Sequence, residues 1–287
     1  MTLAREVAGI TFPNPVLLAA GTAGFGRELA GAMPLERLGG LVTKAVSMAP
    51  RPGNRAPRVA EFRGGMLNSI GLANPGVEQV RAHDLPWLHA SVHSPRIIIN
   101  VVGFTLDEYA DVIGRLDDLP GHVAYELNLS CPNTSAGGVE FGADARSVAD
   151  VISRCRRVTH RPLFAKLSPA LPDIPVIAAA ARDAGADGAT LVNTMPGFLF
   201  DGVEPRLGNG FGGVSGPALF ATGLLAVRRT AERVPGFPLI GVGGIRSADD
   251  VRDYLRAGAS LVAIGTAALA DPSLPARVIT ALEQRDG

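Results

Sequence analysis

The chain has 287 residues, 47% of them hydrophobic and 19% charged, enough apolar material for one large globular domain or two small ones. A formal net charge of zero excludes the long-range field that would draw the protein to nucleic acid or an anionic membrane. Two cysteines supply neither a disulfide framework nor the thiolates of an iron–sulfur cluster, and charged residues or prolines interrupt every long apolar stretch, so a soluble cytoplasmic protein is expected.

Short apolar runs punctuate the sequence in a regular order. The first two cover residues 16–21 and 39–45, the second carrying Thr43-Lys44 just before its last residue. A stretch rich in Pro, Gly and Arg follows at 50–75; its arginines Arg51, Arg55, Arg58 and Arg63 are interrupted by prolines, glycines and Glu61, the pattern of a solvated loop. The third run, 97–102, precedes a helix over 106–116 with Thr105 as its N-cap. Then come run 124–131 and a helix over 146–158, run 163–168 and a helix over 174–184, and run 189–194. Residues 198–213 read as an irregular or hairpin excursion before a helix over 217–234. The last two runs, 239–244 and 261–266, are followed by helices over 247–257 and 272–282. Pro217 and Pro272 suit first helical turns, and Gly185 and Gly258 suit helix C-termini.

Continuous hydrophobicity without alternation is expected of parallel strands buried on both faces. Eight such strands alternating with helices predict a closed (β/α)8 TIM barrel formed by residues 1–287 as one domain; a doubly wound open sheet is the alternative. The insertions at 50–75 and 198–213 both follow strands, which places them on the catalytic face of the barrel as walls or lids.

Among 27 Lys plus Arg residues only Lys44 and Lys166 are lysine, and both stand near the ends of apolar runs. Arginine substitutes for lysine as a solvated charge, but not where a compact ammonium must fit a tight site. Asparagine is also scarce, with nine residues, yet Asn100, Asn128 and Asn193 fall within or at the ends of strands. A poor strand former with an amide needing partners is costly there. Together these residues describe a pocket for a planar, amide-rich, anionic ligand. The runs ending Gly241-Val242-Gly243-Gly244 and Gly265-Thr266 suit phosphate binding after the seventh and eighth strands. The string Gly208-Asn209-Gly210-Phe211-Gly212-Gly213 has the letters of a dinucleotide fingerprint but neither the strand nor the helix that one requires. Cys131, just past a strand and before Gly137-Gly138, is the reactive side chain, as nucleophile or base, whereas Cys155 reads as structural. No His, Asp or Glu set has metal-ligand spacing, so no metal is expected. A lysine Schiff base on Lys166 and a barrel that binds without catalysis are both compatible with these residues.

With Asn68-Ser69-Ile70-Gly71-Leu72-Ala73-Asn74-Pro75-Gly76, Asn128 through Asn133, Asn193-Thr194 and the two glycine ends, the chain resembles class 1 dihydroorotate dehydrogenases over nearly its whole length. The resemblance implies FMN, held by Thr22, Lys44, Ala45, Asn100, Asn128, Lys166, Val192, Gly216, Gly243, Gly244, Gly265 and Thr266. It implies dihydroorotate contacts from Lys44, Asn68, Ser69, Ile70, Gly71, Leu72, Asn128, Asn133, Asn193 and Thr194. Cys131 would remove a proton from C5 of the substrate while hydride leaves C6 for the flavin, Lys44 would bridge flavin and substrate, and Lys166 would stabilise the reduced flavin. Asn74-Pro75-Gly76 and the stretch Gly137–Gly142 look most like the class 1B catalytic subunit. That subtype implies a homodimer core in a heterotetramer with a subunit carrying FAD and an iron–sulfur cluster, and NAD as final acceptor; class 1A, reducing fumarate, is the alternative within class 1. Met195-Pro196 and Ala19-Ala20-Gly21-Thr22 depart from the family pattern and leave room for a related cyclic amide.

Overall fold

Eight parallel strands pair in chain order and the eighth closes on the first. They are Val16–Leu18 (β1), Gly40–Val42 (β2), Arg96–Val101 (β3), Ala124–Asn128 (β4), Leu163–Leu167 (β5), Gly188–Leu191 (β6), Leu239–Val242 (β7) and Leu261–Ile264 (β8). The computed structural model describes residues 3–130, 132–133 and 139–285. Among these, the helices between strands are Leu85–Ser91 (α1), Leu106–Leu116 (α2), Ala145–Arg156 (α3), Ile174–Asp183 (α4), Phe220–Arg233 (α5), Ala248–Ala257 (α6) and, after a short helix Thr266–Ala270, Leu274–Arg285 (α7).

The strands are apolar throughout because each packs on two sides. Ile97, Ile99 and Val101 of β3 join the outer cluster with Val112 and Ile113 of α2, while Ile98 joins an inner cluster with Leu17, Val42, Ala124, Phe164, Ile240 and Leu261. An antiparallel hairpin, Arg5–Val7 with Ile10–Phe12, adds Val7 and Phe12 to that inner cluster and plugs the N-terminal end of the barrel. Local signals set the helix ends. Thr105, Asp144, Asp173 and Ser247 accept backbone N–H bonds as N-caps, and Gly258 takes the left-handed conformation (φ +113°) that ends α6.

The predicted strands and helices all form, with three corrections. Residues 77–91 are helical, a segment that the sequence left unassigned; the helix contains a π stretch, Val80–Asp84, immediately before Pro86, where the chain lacks an N–H. Pro272 lies in a turn, and Pro275 occupies the first turn of α7 instead. The region 50–75 is not a solvated loop. Val59–Phe62 and Gly65–Asn68 pair with Gly212–Ser215 and Met195–Gly197 in one antiparallel sheet, so the two insertions form a single wall. The arginines fasten that wall: Arg55 donates to the carbonyl of Gly208, Arg58 to those of Asn54 and Pro52, and Arg51 lies over the Phe104 ring at 4.2 Å. Pro196 fits because its strand is an edge of the sheet.

Candidate active site

Along β3, β4 and β5 the inward positions change from apolar to polar. Ile98, Ala124 and Phe164 belong to the inner cluster; two residues further on, with the same facing, stand Asn100, Glu126 and Lys166. Glu126 is 1% exposed, Thr190 of β6 1% and Lys166 6%. The Glu126 carboxylate gathers this layer. Its Oε1 accepts from Asn100 Nδ2 at 2.7 Å and from Lys166 Nζ at 3.3 Å, and its Oε2 accepts from Thr190 Oγ1 at 2.7 Å. Asn100 Oδ1 is buried and has no hydrogen-bond partner among the described residues. A buried acceptor costs free energy unless something meets it, so the layer is shaped for a ligand with a donor there.

Above this layer lies a chain of polar contacts. Asn128 ends β4; its carbonyl accepts from Tyr109 Oη at 2.8 Å, and its Oδ1 accepts from Asn193 Nδ2 at 3.3 Å. Asn193 in turn accepts from Thr194 N at 2.8 Å. A Cβ on Gly213 would stand only 2.0 Å from Thr194 Oγ1, so glycine permits the approach of the wall, and the Gly213 carbonyl accepts from Asn68 Nδ2 at 3.2 Å. Ser69 and Ile70 are tied to Asn54, and Gly71 and Leu72 follow with φ of +72° and +57°. Leu72 packs on Ala45 and Val102, so this segment arches over the ends of β2 and β3.

The opposite side is built of close turns. The buried Thr22 adjoins Gly265, Lys44 N donates to Gly24 O at 2.8 Å, and Val192 N donates to Val242 O at 3.1 Å. After β7, Gly243 (φ +131°) and Gly244 (φ +69°) turn the chain, and Tyr254 Oη holds the Gly243 carbonyl at 2.9 Å. Thr266 Oγ1 donates to Ser215 Oγ at 2.8 Å beside Gly216, whose missing side chain leaves room for Gly65.

The sequence-predicted residues on described elements thus converge on one mouth. Lys44, Asn193 and Thr194 stand just past their strands rather than at the last ladder pair. Cys131 lies outside the described residues, as does the side chain of Asn133, whose backbone pairs with Val139. Cys155 is fully buried in α3, and burial pushes its thiol up to about 12, which suits packing rather than reactivity. Sequence reasoning missed Glu126, Thr190 and Tyr254. Glu126 had a usable signal, being the one charge within the run Ala124-Tyr125-Glu126-Leu127.

A parallel (β/α)8 barrel with a charged inner layer, an amide-lined mouth and glycine turns after its last two strands defines a cofactor-dependent barrel enzyme. The sequence matches the dihydroorotate dehydrogenase family over residues 2–285. It is 45% identical over 281 residues (97% of this chain, 91% of the relative) to "Dihydroorotate dehydrogenase B (NAD(+)), catalytic subunit" of Pelobacter propionicus. To the protein of the same name from Desulforudis audaxviator it is 47% identical over 284 residues, covering 98% of this chain and 91% of the relative. The Geobacter sp. strain M21 protein, also of that name, is 42% identical over 280 residues, 97% of this chain and 91% of the relative. The chain belongs to the dihydroorotate dehydrogenase family, whose members are flavin-dependent oxidoreductases.

Proposed function

We propose that this chain is the catalytic subunit of an FMN-dependent dihydroorotate dehydrogenase that oxidises (S)-dihydroorotate to orotate in pyrimidine biosynthesis and passes the electrons to NAD through a partner subunit. The observation that carries this reading is the convergence of Lys44, Asn100, Asn128, Lys166 and Asn193 at the mouth of a barrel that belongs to this family. When bound, FMN supplies a hydride acceptor. Asn100 offers its unused buried Oδ1 to a cofactor N–H, and Gly216, Gly243, Gly244, Gly265 and Thr266 form the side suited to a phosphate. Asn68 through Leu72, Asn128, Asn133, Asn193 and Thr194 would supply amide and backbone groups to a cyclic amide, and Lys44 would contact both ligands.

Cys131 is the base: its thiolate takes the C5 proton as the C6 hydride leaves, so one proton and one hydride are removed and a C=C bond forms. A free thiol has a pKa of about 8.5, which modest tuning makes usable near neutral pH. The ion pair between Lys166 and Glu126 supports charge stabilisation by the ammonium over a Schiff base.

The relatives' names and one surface support a partner subunit. Phe200, Val203 and Phe211 are 64%, 87% and 64% exposed on the wall formed by the insertions, with Phe198 edge-on to Phe200. Exposed apolar side chains on one insertion are candidates for a protein contact, and they support a homodimer core joined by an FAD- and iron–sulfur-bearing subunit. Among the described residues no helix is long and apolar enough to cross a membrane, and we place the assembly in the cytoplasm. The purified protein should be yellow, and dihydroorotate should bleach it without oxygen; a colourless protein that cannot be reconstituted with FMN overturns the reading.

A further inference from the structure

Glu126 is assigned to neither ligand but shares a layer with two residues assigned to the flavin, and it has three partners from three strands, Asn100 of β3, Lys166 of β5 and Thr190 of β6. Stability does not account for it. Moving a carboxylate into a barrel interior costs several kcal/mol, and a buried ion pair is often no better than apolar residues of the same volume. Directly beneath, Ile98, Ala124 and Phe164 fill the same inward positions with apolar side chains. The acid is therefore tied to what lies above.

Two consequences follow from its geometry. Because Asn100 Nδ2 is engaged by the carboxylate, the amide is held with Oδ1 as its remaining acceptor, and that atom has no partner among the described residues. Because Lys166 Nζ lies 3.3 Å from the carboxylate, the cation is held at one place and its positive field is partly cancelled. Thr190 adds a donor to the other oxygen and fixes the carboxylate plane.

We propose that Glu126 is a positioning residue: through Lys166 and Asn100 it fixes the acceptor and the cation presented to the flavin and sets the flavin's reduction potential. The inference rests on the FMN reading above. A reduced flavin carries added negative charge, which a lone lysine would favour strongly and a Lys–Glu pair favours less. The carboxylate thus keeps the bound flavin a stronger reductant than Lys166 alone would.

The test is dye-equilibrated reduction of the FMN-loaded protein, with FMN dissociation followed by the fluorescence of released cofactor. Glu126→Gln keeps the shape and an acceptor for Asn100 but removes the charge. At a fixed dye potential its ratio of reduced to oxidised flavin should rise about tenfold, a shift of about +30 mV for a two-electron couple. Thr190→Val leaves the carboxylate charged with one donor fewer and should move the ratio the opposite way; it carries the test if Glu126→Gln does not fold. An unchanged ratio in both single variants, with the wild-type protein holding FMN normally, overturns this inference alone. A wild-type protein that binds no FMN overturns the reading on which it rests, and the inference with it.

Discussion

Lys44 and Lys166 share a rarity in composition but differ in physical situation. Lys166 is buried and paired with a carboxylate that is itself 1% exposed. Removing one partner of such a pair leaves the other charge uncompensated, at a cost of about 3–5 kcal/mol. Lys44 is half-buried past the end of β2, where its backbone N–H is fixed by Gly24. Lys166→Ala should therefore lower the melting temperature and release FMN together. Lys44→Ala should keep a near-native melting temperature and a yellow protein but lose about a hundredfold in kcat/KM for dihydroorotate, the scale of a lost transition-state contact. Calorimetry with steady-state kinetics on both variants checks the asymmetry; equal small effects would remove both lysines from the site. Glu126 shows what single residues conceal. Its identity is visible in the sequence, but its three partners come from other strands, and only barrel closure brings them within bonding distance.

At the scale of elements, the turn after β7 depends on a helix that the sequence gives no reason to connect with it. A Cβ on Gly241 would lie 2.3 Å from the Tyr254 ring, and one on Gly223 would lie 2.2 Å from its hydroxyl, so two glycines from β7 and α5 make the slot that Tyr254 of α6 fills. From there Tyr254 Oη reaches the Gly243 carbonyl. Gly241→Ala should cost about 1–3 kcal/mol by overpacking. Tyr254→Phe, which keeps the ring, should cost about 1 kcal/mol and weaken FMN retention by loosening the turn. Denaturant midpoints and FMN release measure the two effects, and wild-type values for both variants would remove Tyr254 from the site. The barrel was legible because burial on both faces writes itself as unbroken apolar runs, and the start of α2 because Thr105 caps it locally. The two insertions were legible as walls of the catalytic face, but their union in one sheet was not. Its central pairing joins Asn68 to Gly213, far apart in sequence, through backbone bonds that glycine-rich segments do not advertise. The helical segment 77–91 was hidden by Pro86, whose missing N–H ordinarily signals a break.

Stability of the whole molecule has a pH dependence traceable to the end of the barrel away from the site. His122 is 3% exposed; its Nε2 meets Tyr125 Oη at 2.9 Å, and its Nδ1 has no partner among the described residues. Arg161 and Asp117 are its charged neighbours, Asp117 also accepting from Tyr125 and from Thr159. Burial first, then the Arg161 guanidinium, pushes the imidazole down to about 4, with Asp117 opposing. A histidine with a folded pKa below its unfolded value near 6.5 binds a proton in the unfolded chain before it does in the native one. Stability is therefore full above pH 6.5, falls as pH drops from 6.5 to about 4, and is flat in this group below that. The loss integrates to about 3 kcal/mol, a large part of a typical domain's stability. Asp144 and Asp271, held below the ordinary carboxylate range by hydrogen bonds from Ser147 and from Arg277 and Ser273, titrate below this window, whereas Asp84, raised by burial, gains stability as pH falls and opposes His122 at its acid end. Urea midpoints measured from pH 8 to pH 4 should decline through the window in the wild-type protein. A His122→Gln variant, less stable at pH 8, should give a much flatter profile, so that the two curves converge in acid. Parallel curves would mean that the proton is taken up elsewhere.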